Sequence, residues 1–408
     1  MKKTRFVLCL LLSCLVLCSC SFGHEDYATK SELEELKNLQ SSEPGDEYTV
    51  NITTDAETSK LGASKALLSV VSIEAGFEEV YSSGWWGSSQ STMREVFYSG
   101  AGVIYQLNKE KGNAYIITNY HVIYDAASTA DDGISENIKV YLYGQENEND
   151  AISAEYVGGS QNYDIAVLRV TGSAVLKQSI ATAVTFADSD KVSVLDTAIA
   201  IGNPAGMGIS ATAGYVSVDS EEIQIAVSNN SYVNMRVMRV DTAVNGGNSG
   251  GGLFDESGNL IGIVNAKISD YTIENIAYAI PANVARHLTE SILSNADGSA
   301  TRCILGVVPT VSASKAVYDT ETGKISILET VSVSSVNSDS FAEGKLVVGD
   351  VIRSMTIDGQ TIQIQRKFQV IENMFAARVG STVVFEIVRD GQTMNVTFEI
   401  TEDMVAFM

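Results

Sequence analysis

Residues 244–254 read VNGGNSGGGLF and place five glycines around a single serine, Ser249. Glycine loses more backbone entropy on folding than any other residue, so this density indicates a backbone requirement that other residues cannot meet. A tight turn could hold the serine hydroxyl against a carbonyl, with N–H groups aimed at the oxygen that becomes negative in the transition state. The N–H groups of Gly247 and Ser249 are the natural donors of such an oxyanion hole. A glycine-rich hairpin turn is the alternative.

A serine becomes nucleophilic only beside a base, and a third group must orient that base. The chain has three histidines, His24, His121 and His287. His24 lies in a polar N-terminal segment, and His287 lies on the polar face of the helix predicted by PANVARHLTESIL. His121 ends the apolar strand AYIITNYHVI and is therefore the candidate base.

The candidate orienting carboxylate is Asp164, at the head of NYDIAVLRV. Its apolar residues alternate through Ala166, Leu168 and Val170, which predicts a strand with one buried face. A carboxylate just before such a strand could also serve as a turn residue or cap.

Composition limits the possible functions. The 408 residues are 45% hydrophobic and carry 27 basic and 50 acidic side chains, a net charge of −23. A chain of this kind can bury a large core, and its charge would repel a nucleic-acid backbone, so no nucleic-acid partner is expected. With three histidines, a multi-histidine metal site is also excluded, and no cofactor is expected. Short β-rich runs separated by Gly, Ser and Asn turns predict antiparallel barrels or sandwiches.

Four motifs, TNYHVI, YDIAVLRV, AIGNPAG and VDTAVNGGNSGGGLF, follow one another in the order and approximate spacing of the HtrA/Deg serine proteases. The chain resembles that family. The resemblance implies a mainly β fold, with a chymotrypsin-like double β-barrel and His121, Asp164 and Ser249 as the catalytic triad in the cleft between barrels. It also implies a homotrimer. Many relatives have proline or another residue where Gly246 and Gly252 stand.

Two further expectations concern the surroundings of the serine. Asn248 stands where digestive relatives have an aspartate that pairs with a new N-terminus, so activation by that ion pair is not available. The floor of the primary specificity pocket in this fold, six positions before the nucleophile, is Ala243. Without an acid there a basic side chain would be buried unpaired, so small or medium apolar residues are the expected preference.

The segment after residue 300 resembles a bacterial PDZ domain, through CILGVV and the pair LVVGDVI and IDGQ. The resemblance implies that Ile304, Leu305, Gly306 and Val307 bind the C-terminus of a peptide through backbone N–H groups and strand addition. A helix carrying Phe368, Ile371 and Phe375 is expected to wall the groove. A β-rich domain that only packs on the protease is the alternative.

The N-terminus predicts the compartment. Basic residues, an apolar run and small residues up to Cys20 form a secretory signal. Leu17-Cys18-Ser19-Cys20 resembles a bacterial lipoprotein signal, which implies a lipid on Cys20 and a membrane anchor in the cell envelope. A simple cleaved signal is the alternative.

The predicted domains are a signal peptide (1–20), a polar tether (21–60), a protease domain (61–296) and a PDZ domain (300–402). Trp85 and Trp86, in a Ser/Gly loop, could form an oligomer contact or pack over the barrel mouth. The predicted function is an extracytoplasmic, ATP-independent serine endopeptidase of protein quality control that cleaves unfolded or damaged polypeptides. A PDZ-containing binding or chaperone-like scaffold with incidental proteolysis is the alternative, and the intact triad favours the protease.

Overall fold

The computed structural model describes residues 55–83, 90–228, 231–266, 276–321 and 323–408. The predicted signal peptide, Cys20, most of the predicted tether and the two tryptophans lie outside these residues. The chain from Thr53 to Met408 forms one compact unit.

Two closed antiparallel barrels form the first part of this unit. The first barrel contains β1 (Val70–Ser83), β2 (Gln90–Asn108), β3 (Asn113–Thr118), β4 (Asn137–Leu142), β5 (Ile152–Ser160) and β6 (Ile165–Val170). The second contains β7 (Thr197–Gly202), β8 (Ser210–Ser228), β9 (Ser231–Val240), β10 (Gly252–Phe254), β11 (Leu260–Asn265) and β12 (Ala277–Pro281). The strand orders are β1-β2-β3-β6-β5-β4 and β10-β11-β12-β9-β8-β7. The predicted mainly β, double-barrel fold is confirmed.

Strand β6 shows how the sequence pattern positions the site. Ala166, Leu168 and Val170 belong to the core of the first barrel, as the alternation predicts. The intervening Ile165 and Val167 are also buried, in a cluster that joins the two barrels. Both faces of β6 are therefore covered by apolar side chains, which fixes the strand firmly just after Asp164.

Among the described residues, three α-helices accompany the barrels: α1 (Asp55–Leu67), α2 (Ala174–Gln178) and α3 (Ala282–Ser294). Helix α1 crosses the predicted boundary at residue 60. Val284, Leu288 and Ile292 of α3 are all buried, which confirms the helix predicted from their spacing. His287 lies on the same helix, but its main-chain oxygen accepts a hydrogen bond from Arg378 of the C-terminal domain at 3.3 Å. Burial lowers the pKa of His287 to about 4, so its ring is neutral at neutral pH.

The C-terminal domain is a β-sheet with one short helix. Its elements are β13 (Thr301–Cys303), β14 (Val307–Tyr318), β15 (Ile325–Val336), β16 (Val351–Ile357), β17 (Gln360–Gln363), α4 (Lys367–Glu372), β18 (Thr382–Arg389), β19 (Gln392–Glu399) and β20 (Val405–Phe407). The sheet has the order β14-β15-β16-β18-β19, β17 pairs with β16, and β13 pairs with β20. Strand β14 therefore lies at an edge of the sheet, and no strand of the described residues pairs with its other side.

A buried ion cluster joins this domain to the second barrel. The guanidinium of Arg236, on β9, binds both carboxylate oxygens of Glu372 at 2.6 Å. It also lies 3.3 Å from Asp190. Burial raises the pKa of both carboxyls, and the charge of Arg236 opposes that rise. Removing one member would leave a buried charge without its partner of opposite sign. The pair of Lys367 and Glu222, 3.0 Å apart, also joins the two domains but is more exposed to solvent.

Arg236→Ala is expected to lower the free energy of unfolding by about 3–5 kcal/mol, because it strands buried carboxylates. The matched control is Lys367→Ala, which removes an interdomain ion pair in solvent and should cost less than about 1 kcal/mol. Chemical denaturation of both variants measures the difference. Equal losses would show that the Arg236 cluster contributes no more than a surface pair.

Candidate active site

The three predicted catalytic residues lie at strand ends on both barrels. His121 lies in a 3-10 turn directly after β3, and Asp164 directly precedes β6. Strands β3 and β6 are paired neighbours, so side chains 43 positions apart meet at one end of the first barrel. Ser249 lies in the turn between β9 and β10 of the second barrel.

The imidazole of His121 and the carboxylate of Asp164 are joined by a short contact. Nδ1 of His121 lies 2.6 Å from Oδ2 of Asp164, and the backbone N–H of His121 donates to Oδ1 at 2.9 Å. Because an ionised carboxylate can only accept, the neutral ring must carry its proton on Nδ1. That tautomer leaves Nε2 unprotonated and able to accept a proton, as a general base requires.

Two buried asparagines hold Asp164. The side chain of Asn265 donates to Oδ2 of Asp164 at 2.7 Å, and that of Asn119 donates to its backbone carbonyl at 2.8 Å. Asp164 has φ of 51°, in the left-handed region that few non-glycine residues adopt. The bond from Asn119 stabilises this unusual backbone conformation, and the bond from Asn265 fixes the position of the carboxylate. Sequence reasoning missed both asparagines, and the only available signal was a polar residue inside each of two apolar runs, NAYIITNYHVI and LIGIVNAKI.

The glycines around Ser249 have two kinds of environment. A Cβ at Gly247 would come within 2.1 Å of the carbonyl oxygen of Asn203, and one at Gly250 within 2.2 Å of that of Ala101. Both glycines also have positive φ, 96° and 83°. A Cβ at Gly246 would meet nothing within 4 Å. Close approach of two backbone segments therefore requires Gly247 and Gly250, whereas Gly246 is not required for space.

The hydroxyl of Ser249 has a partner from the second barrel. Its oxygen accepts a hydrogen bond from the backbone N–H of Ala266 at 3.2 Å. Among the described residues no hydrogen bond joins it to His121. Such bonds are often long or unformed without substrate and tighten when substrate binds.

The proposed oxyanion donors are unused by the rest of the described chain, where the N–H groups of Gly247 and Ser249 find no acceptor. The carbonyl of Gly246 accepts a hydrogen bond from the N–H of Ala205 at 2.7 Å. In a trans peptide the C=O and N–H point in opposite directions. The contact with Ala205 therefore directs the N–H of Gly247 away from the 203–207 segment.

The motif AIGNPAG, residues 200–206, contains the segment that contacts the Gly246 carbonyl and so orients the N–H of Gly247. Asn203 is 4% exposed, its amide donates to the hydroxyl of Ser72 at 2.7 Å, and its Oδ1 accepts from the N–H of Gly208 at 2.8 Å. The segment is thereby fixed both to β1 of the first barrel and to itself. The sequence analysis identified this motif but predicted no contact for Asn203.

Ala243 is exposed, six residues before Ser249, and its carbonyl accepts from the hydroxyl of Thr212 at 3.0 Å. Residues 267–275 lie outside the described residues. The specificity pocket therefore remains a prediction based on position in the fold.

The predicted peptide-binding segment lies at the start of the edge strand β14. Leu305 is 4% exposed and anchors the segment, Ile304 is 40% exposed, and Gly306 has φ of 78°. The carbonyls of Leu305 and Gly306 accept from backbone N–H groups of their own domain. Their N–H groups donate to nothing within the part of the chain that the structure describes. Val307 begins β14 and pairs with Val336 on one side only.

The expectation that Phe368 and Phe375 wall a peptide groove is wrong. The ring of Phe368 lies 3.7 Å from the guanidinium carbon of Arg236, and Phe375 is fully buried against Tyr163 of the first barrel. Both rings therefore face the protease domain. Ile371 is 39% exposed and is the member of the predicted set that remains available to a ligand.

The described part of the chain holds no group of three or more His, Cys, Asp or Glu side chains arranged to bind a metal ion. None of its helices is long and apolar enough to cross a membrane.

Two antiparallel barrels with a His–Asp pair on one and a glycine-bounded serine on the other define a trypsin-like serine protease. Family models agree: residues 100–263 match the trypsin-like peptidase domain and residues 304–400 the PDZ domain. The chain is 28% identical over 360 residues to the serine protease Do-like HtrA of Lactococcus lactis, covering 84% of this chain and 82% of that protein. It is 32% identical over 420 residues to the probable periplasmic serine protease do/HhoA-like of Haemophilus influenzae, covering 99% and 80%.

Among solved structures, the HtrA-type protease AlgW with decapeptide is similar, with 27% identity and a TM-score of 0.50 over 86% of this chain and 98% of that one. The chain belongs to the HtrA/Do family of serine proteases. The family assignment made from the four motifs is thereby confirmed.

Gly250→Ala is expected to reduce kcat by about 10²-fold or more, because its Cβ would push the serine turn away from Ala101. Gly246→Ala, an identical change in open space four positions earlier, is the control and should keep kcat within about threefold of wild type. Steady-state hydrolysis of a chromogenic peptide measures both. Comparable losses would contradict the distinction between the two glycines.

Proposed function

We propose that this protease cleaves unfolded or damaged polypeptides outside the cytoplasm, using His121, Asp164 and Ser249 as a catalytic triad. The observation that carries the proposal is the His121–Asp164 contact at 2.6 Å, together with a serine turn in which the N–H groups of Gly247 and Ser249 have no acceptor among the described residues. The tautomer that this contact requires is the one a serine protease needs. The Ala243 position supports a preference for small or medium apolar residues before the scissile bond.

The chemistry follows from these groups. Ser249 Oγ attacks the scissile carbonyl while Nε2 of His121 takes its proton, and Asp164 stabilises the imidazolium that forms. The N–H groups of Gly247 and Ser249 donate to the oxyanion. His121 returns the proton to the leaving amine, which departs and leaves an acyl group on Ser249. Water, deprotonated by the same histidine, then attacks the acyl carbonyl, the bond to Ser249 Oγ breaks, and His121 returns the proton to Oγ, which restores the enzyme.

Ser249→Ala is expected to abolish casein cleavage and labelling by a fluorophosphonate probe while the fold persists, because the hydroxyl supplies the attacking atom. His121→Ala should behave alike, and the double variant should be hardly worse, since triad members act as a unit. Asp164→Asn should lose about 10⁴-fold in kcat by selecting the wrong tautomer, the magnitude known for trypsin. Cleavage that persists in purified Ser249→Ala would exclude the triad.

The proposed location rests on the N-terminal sequence. Cys20 follows a lipoprotein-like signal, and the Haemophilus influenzae relative is named as a probable periplasmic protease. We include in the same proposal a homotrimer, on the family resemblance alone.

Cys20→Ala is expected to move the protein from the membrane fraction to the soluble fraction, or to leave an unprocessed precursor, because the acylated thiol is the proposed anchor. Fractionation and intact mass of the mature wild-type protein are the measurements, and Cys303→Ala, which changes a buried thiol, is the matched control. A wild-type mature N-terminus elsewhere, without added lipid mass, would exclude acylation.

We further propose that the segment Ile304–Val307 binds peptide C-termini and that binding helps order the turn Gly247–Ser249, since Asn248 excludes the activating ion pair of digestive relatives. The support is the free edge of β14 and the unused N–H groups at Leu305 and Gly306. An added strand contributes main-chain hydrogen bonds, and its terminal carboxylate takes charge-assisted ones.

Peptides that end in apolar residues are expected to raise hydrolysis of a small chromogenic substrate by about 5- to 150-fold. The matched control is the same peptide with a C-terminal amide, which cannot offer a carboxylate to the loop. Titration with each peptide gives affinity and rate together. Saturable binding without stimulation would make the domain a tether for substrates instead of an activator.

A further inference from the structure

The C-terminal domain contacts the residue next to the catalytic carboxylate. Tyr163 immediately precedes Asp164, and its ring packs edge-on against Phe375, with 5.1 Å between the ring centroids and 78° between the planes. Phe375 lies in the 3-10 turn Asn373–Phe375, which directly follows α4. A side chain of the C-terminal domain therefore forms one wall of the Asp164 turn.

Phe375 is part of the protease interior. It is fully buried and belongs to the packed cluster that joins the barrels, together with Ile165 of β6 and Ile280 of β12. The residues on both sides of Asp164, Tyr163 and Ile165, thus belong to or pack on the same cluster as Phe375. Removing the phenylalanine ring from water favours the contact, because apolar area is buried in it.

Polar contacts fix both partners of the ring pair. The guanidinium of Arg378 donates to the carbonyl of Phe375 and, at 3.3 Å, to that of His287 on α3, so it ties this turn to the protease helix. The N–H of Tyr163 donates to the hydroxyl of Ser160 at 3.3 Å. Burial raises the pKa of the Tyr163 hydroxyl, and the charge of Arg302 and a hydrogen bond with it oppose the rise.

The backbone of Asp164 is sensitive to its neighbour. With φ of 51°, Asp164 occupies a sparsely populated conformation that persists only where surrounding contacts determine it. Asn119 holds its carbonyl on one side, and the peptide from Tyr163 enters on the other. Movement of the Tyr163 ring would be transmitted through one peptide bond to the carboxylate that orients His121.

We propose that Phe375 is a positioning residue for the protease site: by packing on Tyr163 it fixes the backbone of Asp164, and thereby the direction of the His121 ring. This rests on the triad proposed above. The C-terminal domain would then contribute to catalysis through the His–Asp side of the site, independently of any effect on the oxyanion turn.

The test is Phe375→Leu in the full chain, with Phe385→Leu as the matched control. Phe385 is an equally buried phenylalanine of the same domain, but its ring packs on Phe398 in the domain's own core. Phe375→Leu is expected to lower kcat by about 2- to 30-fold with KM unchanged, whereas Phe385→Leu should leave both unchanged. Phe375→Met serves the same purpose if the leucine variant fails to fold.

Two further readouts separate positioning from general loss of structure. The low-field NMR resonance of the proton between His121 Nδ1 and Asp164 Oδ2 should shift or broaden in Phe375→Leu and not in Phe385→Leu. In a double-mutant cycle, Tyr163→Leu combined with Phe375→Leu should have a kcat no lower than the worse single variant, because both remove one contact.

A wild-type kcat and resonance in Phe375→Leu would overturn the positioning role, as would equal losses in Phe385→Leu. Activity that survives in Ser249→Ala would instead remove the triad. The NMR resonance reports on the His121–Asp164 contact whether or not Ser249 is the nucleophile. Failure of the positioning role and failure of the triad are therefore distinguishable.

Discussion

The carboxylate of Asp164 is the group on which the arrangement of the molecule depends. Oδ1 accepts from the backbone of His121, and Oδ2 accepts from the ring of His121 and from Asn265. His121 belongs to the first barrel, whereas Asn265 ends β11 of the second. Hydrogen bonds to an ionised acceptor are short and directional. The bonds that orient the His121 ring therefore also fix one barrel against the other.

The serine side of the site depends on backbone more than on side chains. The carbonyl of Ser249 accepts from the N–H of Ala101 on β2, whose own carbonyl accepts from the hydroxyl of Thr118 at 2.7 Å. Asn203 adds a second bond across the cleft, to Ser72 of β1. Because the Ser249–Ala101 and Asn203–Ser72 bonds join the first barrel to the second, the proposed oxyanion turn is positioned by the same interface that positions the proposed triad. A displacement of one barrel would disturb the proposed nucleophile, Ser249, and the proposed base, His121, together.

Sequence reasoning succeeded where the chemistry is local. The turn around Ser249, the strand after Asp164 and the helix Ala282–Ser294 each carry a short pattern whose period or composition points to one structure. The contacts that support the site are not local: Asn119 and Asn265 are 45 and 101 positions from Asp164. Only a polar residue within an apolar strand hinted at them, and such a residue has many possible partners.

The error at Phe368 and Phe375 has a different origin. Apolar residues on one side of a helix indicate that this side is buried, but the pattern is the same whether a ligand or another domain covers it. The covering surface here is the protease, through Arg236 and Tyr163. Predicting this needed the relative orientation of two domains, for which one sequence contains no direct signal.

Two of the interdomain contacts of this helical segment differ in what they contribute. In the ion cluster of Arg236, Glu372 and Asp190, three charges are removed from water. The free-energy cost of that removal largely cancels the Coulomb attraction between them, so the cluster adds little net free energy to docking. The packing of Phe375 carries no such cost, and its buried area favours association directly. The charges are directional, however, and a bidentate arginine accepts few alternative geometries. Phe375 therefore favours docking through its buried apolar area, while the bidentate pair of Arg236 and Glu372 restricts the orientation in which Phe375 reaches Tyr163.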